Sequence, residues 1–166
     1  MYMEGAFNRL KKGLAERLHG IGPDKVVFVG VGNRLRGDDA IGPALIDLIK
    51  GRVPHAIDAD NAPENVTSAI KRLKPQAVVF IDAAYIGDVP RGHARVVEVV
   101  DVKNLGASVH DISLDAVMEY LKEATGADVF LLGVQPEWIG EGEHISPSLR
   151  RPLKELADAI VSALKS

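Results

Sequence analysis

Residues 32–39, "GNRLRGDD", put a glycine-framed turn directly before two acids. Gly32 and Gly37 keep the glycine frame of a phosphate-binding loop, but Asp38 and Asp39 stand where that loop carries lysine and a hydroxyl. Phosphate is held at a helix N-terminus by free N–H groups, the helix dipole and usually a cation, so paired carboxylates there repel it. Such a turn suits a cation instead. A third acid, Asp82, closes the apolar run "AVVFID", where a buried carboxylate is costly unless paired, protonated or liganded. His110 lies in "GASVHDIS", just before a helical pattern. Two carboxylates and an imidazole make a hard-to-borderline metal set, with positions left open for water or a partner's ligands.

Each of these residues also has a plainer reading. Asp38 and Asp39 could be a helix cap and a first-turn acid, a cap being worth about 0.5–2 kcal/mol. His110 could be a capping or surface histidine, and His19, His55, His93 and His144 read as structural or solvated. "APEN" (Ala62–Asn65) is most simply a helix start. The only tryptophan, Trp138, falls in the irregular stretch "QPEWIGEGEH" (Gln135–His144), as a lid over the site or an aromatic anchor for a partner.

The elements that must position these residues alternate along the chain. "KVVFVGV" (Lys25–Val31) is a short β-branched run of the kind buried on both faces of a parallel sheet, and "AIGPALIDLIKGR" after it is helical, with Pro43 tolerable in a first turn. "HAIDAD" (His55–Asp60) and "PENVTSAIKRL" (Pro63–Leu73) repeat the unit. "AVVFIDAA" (Ala77–Ala84) is a third strand and "ARVVEVVD" (Ala94–Asp101) a fourth. The segment between them, "YIGDVPRGH", is too short for a crossover helix, so the fourth strand should run antiparallel to the third. "SLDAVMEYLKEATG" (Ser113–Gly126) is an amphipathic helix with Ser113 as N-cap and Gly126 as stop, and "DVFLLGV" (Asp128–Val134) is the last strand. A terminal helix shows its core stripe in Leu149, Leu153, Leu156, Ile160 and Leu164. These elements predict an α/β fold: a three-layer α/β/α sandwich on a mostly parallel five-stranded sheet with one antiparallel strand, phosphorylase/hydrolase-like.

Ligands of such sheets bind beyond the carboxyl ends of the strands, where chain direction across the sheet reverses. With the first and third strands as neighbours, Asp39 and Asp82 meet at one rim and His110 leans in from the side.

Composition narrows the classes of function. The 166 residues, 46% hydrophobic, suit one compact domain, with residues 1–22 an amphipathic helical extension carrying Phe7, Leu10, Leu14 and Leu18, and 23–166 the α/β domain. That helix reads as packed on the domain rather than as a membrane or partner handle. A net charge of -3 with interleaved basic residues argues against nucleic acid. Absence of cysteine excludes a disulfide framework, thiolate zinc and a cysteine nucleophile, and fits the cytoplasm. No signal peptide or membrane-spanning run is evident. Few Asn and Gln beside Arg, Lys and Glu-rich helices suggest a thermophilic source. No nucleophile elbow, H-E-x-x-H or Ser/His/Asp arrangement is found, so the residues alone define a metal-binding α/β domain. They leave open a hydrolase, a small-molecule enzyme without a protein partner, and a non-enzymatic metal-dependent binding module or chaperone.

"GVGNRLRGDDAIGP", "DADNAPEN", "VVFIDAA", "SVHDISLDAVMEYL" and "VFLLGVQP" together resemble the [NiFe]-hydrogenase maturation proteases from Lys25 to the C-terminus. "APEN" and "LGVQP" resemble the hydrogenase 3, formate-hydrogenlyase-type branch. The resemblance implies a cytoplasmic endopeptidase, likened to aspartic-type and metal-dependent peptidases, that removes the C-terminal tail of a hydrogenase large-subunit precursor after nickel insertion. It implies that Asp39, Asp82 and His110 meet nickel carried by the substrate, in a site other divalent metals could fill. Asp39 and Asp38 are the candidate catalytic acids, Asp38 as general base or as an orienter of its neighbour. A monomer is expected. The segment Asp58-Ala59-Asp60-Asn61 departs from the family's more glycine-rich turn.

Overall fold

The computed structural model describes residues 2–105 and 113–165. Five strands form one sheet: β1 (Val26–Gly30), β2 (Ala56–Asp58), β3 (Ala77–Ala83), β4 (Ala94–Glu98) and β5 (Asp128–Val134), in the order β2-β1-β3-β5-β4. β1 pairs in parallel with β2 and β3, β3 pairs in parallel with β5, and β4 pairs antiparallel with β5. β4 thus runs opposite to β3, as the short connection demanded, with β5 between them.

The helices are α1 (Tyr2–Arg17), α2 (Ile41–Ile49), α3 (Thr67–Arg72), α4 (Val99–Val102), α5 (Leu114–Thr125) and α6 (Arg150–Lys165). Period-2 alternation sends successive residues of β1 to opposite faces. Val26 and Phe28 join a core with Val79 and Phe130 beneath α1, α2 and α6, whereas Val27 and Val29 join Val78, Phe80 and Leu131 beneath α3 and α5. Two apolar clusters separated by one sheet make the three-layer sandwich. Phe7, Leu14 and Leu18 of the first helical segment lie in the first cluster, where α1 packs on α6.

Some boundaries differ from the sequence expectation. β4 ends at Glu98, and the residues expected to prolong it form α4, because Val99 and Val102 are both buried one helical turn apart. The second helical pattern opens as a 3-10 turn, Pro63–Val66, before α3. Ser113 takes the N-cap position of α5 without a side-chain capping bond, while Gly126 ends the helix at φ 71°, the left-handed conformation glycine accepts freely.

Candidate active site

The sheet order places β2 on one side of β1 and β3 on the other, so chain direction reverses between β1 and β3. A crevice opens there at the strands' carboxyl ends. Beyond β1 the backbone enters the glycine-framed turn, passes through a 3-10 turn at Asp38–Ala40 and continues directly into α2. Gly32 adopts φ +153°, and a Cβ there would lie 1.8 Å from the backbone oxygen of Asp39. Only glycine lets the chain fold back this closely. The Asn33 N–H then donates to Asp39 Oδ2 at 2.8 Å, and the Asp39 N–H donates to the Arg36 carbonyl at 3.2 Å.

Gly42, in the first turn of α2, seats this turn against the sheet. A Cβ there would meet the Val31 carbonyl oxygen at 2.3 Å and that of Ile81 at 2.5 Å. The Val31 N–H also donates to the Ile81 carbonyl at 2.9 Å, tying the exit of β1 to the end of β3. Asp82 follows Ile81, in register with Gly133 of β5. The turn holding Asp39 packs on β3, and Asp39 and Asp82 are each only 3% exposed. Two sequence-predicted acids are thereby gathered at one rim. His110, the third predicted ligand, lies outside the described residues. Among the described residues no cluster of three metal-ligating side chains forms. The two carboxylates supply hard oxygen donors of the kind a divalent cation accepts alongside other ligands.

Arg34 braces the turn from outside. Its guanidinium donates to Asp47 on α2 at 2.8 Å and to Asp58 at the end of β2 at 2.8 Å, and those two partners, Asp47 first, hold it above its usual pKa. At the far end of β5, the Gln135 side-chain oxygen accepts from the Ile86 N–H at 2.8 Å, which fixes the segment leaving β3 and gives the glutamine of "LGVQP" a structural role.

Asp38 is fully buried, and its carboxylate is occupied by the loop that follows β5. Oδ2 accepts from the Glu137 N–H at 2.9 Å, the Trp138 N–H at 2.8 Å and the Ser146 hydroxyl at 2.8 Å, while Oδ1 accepts from the Ser146 N–H at 2.7 Å. Asp38 and Asp39 therefore face different neighbours despite being adjacent. Ser146 escaped the sequence reading because nothing in its local spacing marks a partner 108 positions away. The close backbone packing of Gly32 and Gly42 was partly visible as glycine frequency in the motif.

Comparison with known proteins shows the family. A family model described as hydrogenase maturation protease matches residues 48–164. The chain belongs to the hydrogenase maturation protease family. The hydrogenase 3 maturation protease of Escherichia coli K12 is 31% identical over 144 residues, spanning 84% of this chain and 88% of that protein. The crystal structure of the [NiFe] hydrogenase maturation protease HycI from Thermococcus kodakarensis KOD1 superposes with a TM-score of 0.80 at 31% identity, covering 92% of this chain and 99% of the other. The solution structure of the endopeptidase HycI from Escherichia coli gives 0.70 at 29% identity, covering 85% and 89%. These similarities place this hydrogenase maturation protease in the hydrogenase 3-type branch.

Proposed function

We propose that this endopeptidase removes the C-terminal tail of a hydrogenase large-subunit precursor once nickel has been inserted, reading the metal through Asp39, Asp82 and His110. The observation that carries this is the burial of Asp39 and Asp82 at the switch point between β1 and β3, in a chain of this family. Nickel belongs to the substrate here, so the Asp39 and Asp82 carboxylates act as a sensor that is completed only when a loaded precursor docks. Hydrolysis adds water across the peptide bond: its oxygen goes to the carbonyl carbon, the C–N bond breaks and a proton reaches the departing amine. The Asp39 and Asp82 carboxylates would hold the precursor's nickel at the rim, where the ion would supply Lewis-acid polarisation of the scissile carbonyl. No helix among the described residues is long and apolar enough to cross a membrane. We place the encounter with the precursor in the cytoplasm and take the working unit to be a monomer.

The test is mass spectrometry of a large-subunit precursor incubated with the protein, with and without prior nickel loading, using wild type, Asp39→Asn and Asp82→Asn. Tail loss only from the loaded precursor, abolished in both folded variants, is expected. Cutting of the unloaded precursor would refute nickel sensing. Stable binding with no cutting of either form would identify a non-enzymatic metal-dependent module.

A further inference from the structure

We propose that Asp38 is a positioning residue rather than a proton-transfer group: its carboxylate is the clasp of the loop 137–146, and that loop holds Trp138 beside the Asp39 turn as a contact for the precursor chain. The contact role rests on the protease reading above, whereas the clasp does not.

The geometry of the loop carries the inference. Its two ends are joined by one buried side chain, since Asp38 accepts from Glu137 and Trp138 at the start and from both donors of Ser146 at the finish. All four bonds direct donors at the carboxylate, which leaves little lone-pair capacity for a proton from water. Between those ends the loop wraps the turn backbone to backbone. Gly37 N–H donates to the Gly142 carbonyl at 2.8 Å, Asp38 N–H to the Trp138 carbonyl at 2.9 Å, and Gly142 N–H to the Leu35 carbonyl at 3.1 Å. The turn that delivers Asp39 is thus held against the loop that Asp38 closes.

Two glycines seat the indole. A Cβ on Gly37 would meet the Trp138 ring at 2.8 Å, and one on Gly140 would meet it at 2.5 Å. Trp138 nevertheless stays 51% exposed, and Leu35 on the adjoining turn is 61% exposed. A large aromatic held by backbone on one side and left open on the other is a preorganised contact, the kind that dominates polypeptide binding when it is covered. Its continuity with the Asp39 turn selects the occupant, which is the precursor chain close to its scissile bond. A second anchor fixes the start of the loop from below, as Glu137 accepts from Arg91 at 2.5 Å and from the Ser148 hydroxyl at 2.6 Å.

The experiment uses the full chain and the fact that Trp138 is its only tryptophan, so tryptophan emission, excited selectively over the three tyrosines, reports on this loop alone. Asp38→Asn puts an amide donor against N–H donors, and Ser146→Ala removes a single hydroxyl bond, a milder lesion that keeps the test alive if the first variant folds poorly. Both should shift tryptophan emission and raise acrylamide quenching, Asp38→Asn more than Ser146→Ala, with far-UV circular dichroism retained. Trp138→Ala should raise KM for the nickel-loaded precursor about tenfold or more with a smaller change in kcat. The KM effects of Asp38→Asn and Trp138→Ala should not add in the double variant, because both act through one loop. Unchanged fluorescence and quenching in Asp38→Asn would overturn the clasp, whatever the protein cuts. Loss of kcat in Asp38→Asn, with KM and fluorescence unchanged, would make Asp38 a proton-transfer residue and overturn the proposal. An unchanged KM in Trp138→Ala would remove the contact role. Failure of wild type to cut any precursor would defeat the protease reading while the fluorescence arm still decides the clasp.

Discussion

Replacing Gly42 by alanine should cost far more activity than stability. In an ordinary helix Gly→Ala stabilises by about 1 kcal/mol through backbone entropy and propensity. At this site the added methyl would stand 2.3 Å from the Val31 carbonyl oxygen and 2.5 Å from that of Ile81, where ordinary contact begins near 3.4 Å. Both obstacles are backbone atoms of the sheet, so neither can rotate aside, and the start of α2 must recede by about 1 Å. Overpacking of this sort costs roughly 1–3 kcal/mol, which the propensity gain of about 1 kcal/mol offsets in part, leaving a folded protein destabilised by at most about 2 kcal/mol. Asp39 moves with the helix start, whereas Asp82 stays with β3. A misplacement of about 1 Å between groups that must converge on one reacting centre costs on the order of 100-fold in rate. Urea denaturation followed by circular dichroism gives the stability, and cleavage of a nickel-loaded precursor gives the rate. Gly126→Ala is the control: its Cβ meets nothing within 4 Å, and its φ of +71° penalises alanine by about 1 kcal/mol at a site remote from the rim. Comparable destabilisation in the two variants, with activity lost only in Gly42→Ala, is expected. Wild-type turnover by Gly42→Ala would refute the claim that this glycine sets the spacing of the two acids.

Two further outcomes follow from the charged residues. Arg17 joins α1 to the sheet, donating to Asp128 at 2.8 and 2.9 Å and to Glu98, with its guanidinium 4.2 Å from the Phe130 ring centroid. Hydrogen bonding to Arg17 holds the Asp128 and Glu98 pKa values below their ordinary ones. Depressed carboxylates stabilise the fold above their unfolded pKa values and lose that contribution as pH falls through the folded ones. Arg17→Met should therefore cost about 1 kcal/mol at pH 7, the pairs being partly solvent-screened, and the gap to wild type should close below about pH 4 in urea titrations. A gap that persists at low pH would assign the loss to packing alone. Separately, the composition predicts a melting midpoint above the mesophile range of about 45–65 °C, and calorimetry showing one inside it would reject a thermophilic source.

The layered architecture was legible because β1, β3 and β5 are short uninterrupted apolar runs whose residues alternate between two clusters, a pattern that periodicity reads directly. The antiparallel sense of β4 followed from a chain-length argument alone. Its end did not, because "EVVD" is as β-branched as the strand before it, and only tertiary burial of Val99 and Val102 turns it helical. Asp82 could be found as an acid closing an apolar run. The commitment of Asp38 could not, since all its partners come from a loop about 100 residues later and the sequence gives adjacent aspartates no mark of their separate roles.

The same backbone device explains why this turn rejects the ligand its glycines first imply. A strand leading through a tight glycine turn into a helix offers N–H groups and a positive dipole end to whatever anion can reach them. Here the Asn33 N–H already bonds Asp39 Oδ2, the Gly37 N–H bonds the Gly142 carbonyl and the Asp38 N–H bonds the Trp138 carbonyl. The donors that would cradle a phosphate are occupied by the chain's own carboxylate and loop. Asp39 thus sits in the anion seat, where backbone dipoles favour its negative charge. Phosphate, sulfate and ATP at millimolar concentration should consequently leave the melting temperature unchanged beyond their general salt effect, with chloride at equal ionic strength as reference. A saturable rise with phosphate, abolished by Gly32→Ala but not by an equivalent lesion elsewhere, would show that the seat is open and that the charge inversion has been misread.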